Sequence, residues 1–155
     1  MARPNLIIDA SIIGFAGDPT DFGDECVDVL RKAERAFILY FDHDGQIESE
    51  YLARIREKSR DSFVSRWWVR MIAQVGARMW VSGRVTNADR RELQKAQFDT
   101  SDYPYVAVAK NAKYSLLVHE DSDYCKAEAV IVSLTGCRCL HPPVFNKEFG
   151  QGVLE

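Results

Sequence analysis

The chain has 155 residues, 46% hydrophobic and 28% charged, with a net charge of −3. That length suits one core rather than two, and the balance excludes a disordered tail or a collagen-like fibre. No apolar run approaches the roughly 20 residues that cross a bilayer, so no membrane partner is expected.

Asn5 to Asp9 reads as a buried strand, because a continuous run of Leu6, Ile7 and Ile8 suits a strand covered on both faces. Asp9 also breaks this run too early for a signal peptide. Residues 10–21 carry Gly14, Gly17 and Pro19 and suit a loop, or a short helix followed by a loop. Phe22, Cys26, Val29, Leu30 and Ala33 recur at helical spacing and predict a helix over 22–36. Phe37 to Phe41 predicts a second strand, Asp42 to Gly45 a turn, and Ile47, Tyr51, Leu52 and Ile55 a helix over 47–59.

Asp61 or Ser62 can cap a third helix. Its steps of four, Phe63, Trp67, Met71, Val75 and Met79, carry the pattern as far as Met79. A fourth helix starts at Thr86 or Asn87 and runs to Gln97, and Thr100 or Ser101 can cap a fifth with Pro104 in its first turn. Tyr114 to Val118 predicts a third strand. Residues 126–134 suit either a strand or a short helix stopped by Gly136, and we favour the helix. Cys137 to Leu140 predicts a last strand, ended by Pro142 and Pro143. Strands separated by helices predict a single α/β domain over 1–155, three layers with a central, mostly parallel sheet of four or five strands.

Charge is segregated. Residues 1–53 hold 4 basic and 11 acidic side chains, residues 54–95 hold 11 and 4, and residues 96–155 hold 5 and 8. A basic middle between acidic ends suits a polyanion in the middle and a cation at the ends, although ordinary solvated helix faces give the same pattern.

Sites in open α/β sheets lie at the carboxyl ends of strands. Asp9 ends the first strand, Asp121 and Asp123 follow the third, Asp102 opens a helix, and Glu50 lies early in the helix after the second strand. Carboxylates crowded on one rim repel, and a hard divalent cation such as Mg²⁺ or Mn²⁺ relieves that repulsion. Helix capping is the plainer role for Asp102 taken alone. Asp9 has no Lys or Arg near it in sequence to serve as a partner.

Four segments, in order, resemble the PIN-domain family of metal-dependent nucleases. Leu6-Ile-Ile-Asp-Ala-Ser11 is similar to a strand ending in Asp with Ser or Thr two residues on. Glu48-Ser-Glu-Tyr-Leu52 resembles the helical Glu motif, with Glu50 preferred over Glu48 because Tyr51 follows it. Asp102-Tyr-Pro-Tyr-Val-Ala-Val-Ala109 is similar to the Asp that opens an apolar helix. Leu116-Leu-Val-His-Glu-Asp-Ser-Asp-Tyr124 resembles the last motif, with Asp121 placed 19 residues after Asp102. The resemblance covers about residues 5 to 141. His119 departs from it, standing where Thr or Ser is usual, and so does Pro104 inside the third motif.

The resemblance implies catalytic acids Asp9, Glu50, Asp102 and Asp121, metal ligands Asp9, Asp102, Asp121 and Asp123, and Ser11 and His119 behind them. It implies hydrolysis of RNA, less often DNA, by a water activated at Mg²⁺ or Mn²⁺, leaving a 5′-phosphate. Arg54, Arg60, Arg66, Arg84, Arg90 and Arg91 are the candidates for holding the backbone. A toxin held by a small antitoxin, a homodimer, and a catalytically inactive RNA- or protein-binding module of the same fold are further expectations. A haloacid-type phosphatase would need Asp where Ser11 stands, and a receiver domain would need an acidic pair there.

Three side features complete the reading. Cys137, Cys139 and His141 share one strand face, and Cys125 is a fourth donor for zinc, but buried reduced thiols in a cytoplasm suit the spacing better. Trp67 suits the core, and Trp68 a second contact such as a homodimer or a peptide. The acids Asp18, Asp21, Asp24 and Glu25, and His43, suit solvated surface.

Overall fold

The computed structural model describes residues 2–120 and 122–150. The chain alternates strands and helices: β1 (Asn5–Ile8), α1 (Ala10–Phe15), α2 (Asp21–Ala36), β2 (Ile38–Asp42), α3 (Gln46–Arg56), α4 (Phe63–Ala73), β3 (Arg78–Val81), α5 (Asn87–Lys95), α6 (Tyr103–Ala112), β4 (Ser115–Val118), α7 (Ser122–Thr135), β5 (Arg138–Leu140) and α8 (Pro142–Glu148). A 3₁₀ turn at Thr100–Asp102 precedes α6. All strand pairs are parallel, in the order β3-β2-β1-β4-β5, so the fold is α/β with helices layered on the sheet.

This order creates one switch point. From β1 the chain winds outward through β2 to β3, then returns to the other side of β1 for β4 and β5. The connections leaving β1 and β4 therefore diverge, and their carboxyl ends border a crevice where ligands of such sheets bind. Asp9 stands at that point, its amide continuing the ladder to Val118 O at 2.9 Å.

One hydrophobic cluster runs through both faces of the sheet, from Leu6, Ile7 and Ile8 to Tyr124, Ile131 and Phe145. Trp67 is fully buried in it and donates its indole N–H to Leu30 O at 2.9 Å. Trp68 is also part of this core, which corrects its expected role as a second contact. It is only 5% exposed and packs edge-on against Phe41 and Tyr51.

Local chemistry sets the helix starts. Thr20, Ser62 and Thr86 each accept a backbone N–H in the first turn of α2, α4 and α5. The steps of four after Phe63 do not continue to Met79. Helix α4 ends at Ala73, Gly76 turns the chain at φ +79°, and Arg78–Val81 is an edge strand. Pro142 and Pro143 open a helix rather than only closing a strand, because Pro is tolerated in a first turn. Among the described residues, no helix is long and apolar enough to cross a membrane.

Candidate functional site

At the carboxyl end of β1, Asp9 caps α1 with its own side chain. Its Oδ2 accepts from Ser11 N at 3.0 Å and from Ser11 Oγ. Its Oδ1 accepts from Tyr124 Oη at 3.1 Å, across 115 residues of sequence. Asp9 is nearly buried, so these donors fix the direction of its carboxylate.

Helix α3 packs on α1 and carries Glu50 to the same place. Glu50 Oε2 accepts from Tyr105 Oη, which itself accepts from Ala10 N at 3.2 Å. Burial pushes the Glu50 carboxyl above the usual Glu value. The negative charges of Asp9 and Asp42 push the same way, while the Tyr105 hydrogen bond and Arg54 pull it down. Tyr51, adjacent in sequence, points inward instead and donates to Ile8 O.

Glu48 lies elsewhere. It pairs with Arg78 at 3.3 Å. Asp42, which ends β2, is used structurally: its two oxygens accept from Gln46 N and Ile47 N at 3.0 and 2.8 Å and start α3.

Asp102 occupies the N-cap position of α6 but makes no side-chain capping hydrogen bond. The local capping falls to Asp99, whose side chain accepts from Ser101 N at 2.9 Å. Asp102 instead lines a cleft of about 410 Å³ together with Asp9, Ser11, Glu50, Arg54, Glu57 and Asp99. Asp9, Glu50 and Asp102 thus reach one concavity from three distant segments.

Three buried phenols, Tyr51, Tyr105 and Tyr124, surround Asp9. Burial first, and then the charge of Asp9, raise all three well above the usual tyrosine value, so each remains a neutral donor. All three lie inside the acid motifs, Tyr51 beside Glu50, Tyr105 one helical turn after Asp102 and Tyr124 beside Asp123, but the motifs gave them no supporting role.

The other sequence-derived candidates divide. Asp121 lies outside the described residues. Asp123 is in the first turn of α7, half-buried. His119 is 2% exposed and stacks on Tyr124 with ring centroids 4.7 Å apart, so it backs the phenol that holds Asp9. Of the six arginines, Arg54 lines the acidic cleft. Arg60 and Arg66 line a second groove of about 540 Å³ with Ser65, Val69 and Arg70. Arg84 pairs with Asp44 at 3.3 Å, and Arg90 and Arg91 are exposed on α5. In the early acidic segment, Asp18 pairs with Lys58 at 3.3 Å.

The cysteine–histidine set differs from the strand-face reading. Cys137 and Cys139 are buried thiols, which burial pushes up to about 11 and about 12. Cys125 is exposed, and its Sγ lies 3.0 Å from His141 Nε2. The rings of His119 and His141 are 4.8 Å apart. Among the described residues, His119, Cys125 and His141 are the one trio of His, Cys, Asp or Glu with ligand atoms all within 4.8 Å of one another. Asp9, Glu50 and Asp102 share a cleft without closing to that distance.

Comparison of the chain with protein-family models, curated proteins and solved structures found no match.

Proposed function

We propose that the chain is a Mg²⁺- or Mn²⁺-dependent nuclease acting on RNA, with DNA the less favoured alternative. The observation that carries this reading is the convergence of Asp9, Glu50 and Asp102 on one cleft at the switch point of a parallel sheet. The donor set is all oxygen, which suits a hard cation. Glu50, its carboxyl raised by burial and by Asp9, is a group that added positive charge would relieve. The PIN-domain resemblance, resting on four motifs, points to the same chemistry.

When bound, the cation would supply a Lewis acid for the phosphate and lower the pKa of water. Asp9, Glu50 and Asp102 would hold it, and Asp121 joins them through the motif resemblance. Ser11 and Tyr124 keep the Asp9 carboxylate aimed. Tyr105 does the same for Glu50. Arg54, on the cleft wall, is placed to meet a phosphate. Arg60 and Arg66, in the second groove, offer further positive charge for a backbone, while Arg70 beside them is paired with Glu34 at 2.7 Å. A small antitoxin-like protein covering the acidic cleft would silence such an enzyme.

The test is cleavage of end-labelled RNA by the purified chain. Cleavage is expected with Mg²⁺ or Mn²⁺, leaving 5′-phosphates, and is expected to vanish with EDTA and to fall by about 10²-fold or more in Asp9→Asn. Cleavage that persists under both conditions overturns the proposal. A second reading, a non-catalytic RNA- or protein-binding module, is favoured by the spacing of the three acids, which do not lie within 4.8 Å of one another. RNA binding without turnover in either metal would establish it.

A further inference from the structure

We propose that His119, Cys125 and His141 form a second metal site, selective for a zinc-class ion and distinct in chemistry from the acidic cleft. The three ligands come from three elements at one corner of the sheet. His119 follows β4, His141 follows β5, and Cys125 sits in the first turn of α7. A ladder bond from His119 N to Leu140 O at 3.1 Å sets the two strand ends side by side. The imidazoles are therefore held at a fixed spacing by the sheet, not by loop geometry.

The distances suit one small ion. Zinc bonds nitrogen at about 2.0–2.1 Å and sulfur at about 2.3 Å, which makes tetrahedral ligand–ligand edges of about 3.3–3.8 Å. Here Cys125 Sγ and His141 Nε2 are already 3.0 Å apart, and all three ligand atoms fall within 4.8 Å. Seating an ion needs shifts of about 1 Å or less: Cys125 and His141 spread slightly from each other and move toward the buried His119. Cys125 and His141 are both exposed, so that adjustment does not disturb the core.

Two imidazoles and a thiolate select zinc, or Co²⁺ in its place, over Mg²⁺ and Mn²⁺, which prefer oxygen. Three protein ligands leave a fourth position for water or another group. A bound ion would tie α7 to the ends of β4 and β5. It would also fix the His119 ring, which stacks on Tyr124, the donor to Asp9 Oδ1. Zinc occupancy would thus stiffen the buried support behind Asp9 without touching the carboxylates.

The experiment is Co²⁺ titration of the full chain after chelator treatment, followed by absorption. One equivalent of Co²⁺ is expected to give visible d–d bands of a tetrahedral site and a near-ultraviolet thiolate-to-metal band, both displaced by Zn²⁺. Cys125→Ser is expected to lose the thiolate band, and His141→Ala to weaken Co²⁺ binding at least about tenfold, in the range seen when a metal site is disturbed. Both positions are exposed, so circular dichroism should report a native fold. Asp9→Asn is expected to keep the full Co²⁺ spectrum. Because the readout is absorption and not cleavage, failure here leaves the nuclease reading untouched. Absence of the thiolate band in the folded wild-type chain overturns the site, as does its persistence in folded Cys125→Ser.

Discussion

Two polar clusters occupy the same edge of the sheet, and they differ in donor chemistry. In one cluster the donors are carboxylates, gathered from the end of β1, from α3 and from the start of α6. At the ends of β4 and β5 they are two imidazoles and a thiol. The acids share a cleft but stand apart, while the nitrogen and sulfur atoms are already close. Like charges hold carboxylates apart until a cation joins them, whereas a thiol and an imidazole attract through a hydrogen bond without any ion. Spacing in the absence of a ligand is therefore a poor guide to which cluster binds more strongly, and a fair guide to which is preformed.

The comparison breaks most sharply at Asp9. Asp9→Asn keeps the hydrogen-bond acceptor toward Ser11 but removes the charge, and RNA cleavage is expected to fall by about 10²-fold or more, a loss typical of essential acid–base groups. A smaller effect separates the carboxylate from its buried support. Tyr124→Phe keeps the ring against His119 and removes the donor to Asp9. It is expected to lower cleavage about tenfold, as orienting partners of metal ligands do, while Co²⁺ binding at His119, Cys125 and His141 stays unchanged. Equal damage to both readouts would mean that the two clusters are one unit.

Glu50 gives the smallest effect, and it depends on pH. Its carboxyl is raised in the folded chain, so the folded state binds the proton more tightly than the unfolded state. The ionised form then opposes folding, and stability falls as pH rises from the usual Glu value through the raised one. Glu50→Gln is expected to raise Tm of the metal-free protein at pH 7 and to leave it unchanged below the usual Glu value. Added Mg²⁺ should raise Tm of the wild type more than that of the variant. Thermal melts at the two pH values, with and without Mg²⁺, check both expectations.

How much of this was legible beforehand followed burial. Strands β1, β2 and β4 are covered on both faces and wrote themselves as apolar runs. Strand β3 is an edge strand, where Met79 and Trp80 stay 45% and 40% exposed, so Arg78–Val81 carries no such run. Its residues instead extended the four-step rhythm of α4 past Gly76. Asp9, Glu50 and Asp102 were legible because a charge directly after an apolar strand, or at a helix start, is conspicuous. Of their supports, Ser11 and His119 came through the motif resemblance, but the phenols were given no role. Tyr105 and Tyr124 read locally as ordinary core residues, and only the sheet order brings Tyr124 to Asp9 across 115 positions. The same holds for His119 and His141, which meet because β4 and β5 pair. Strand alternation instead pointed to Cys137 and Cys139, whose thiols face the core.

The central claim is that the cleft carboxylates close around a hard cation. Anomalous scattering from crystals grown with Mn²⁺ measures this directly. A peak is expected between Asp9, Glu50 and Asp102, with carboxylate oxygens drawn to about 2.0–2.6 Å from it, the range for hard divalent ions. An ordered cleft with no peak, or Mn²⁺ found only beside His119 and His141, would contradict the account.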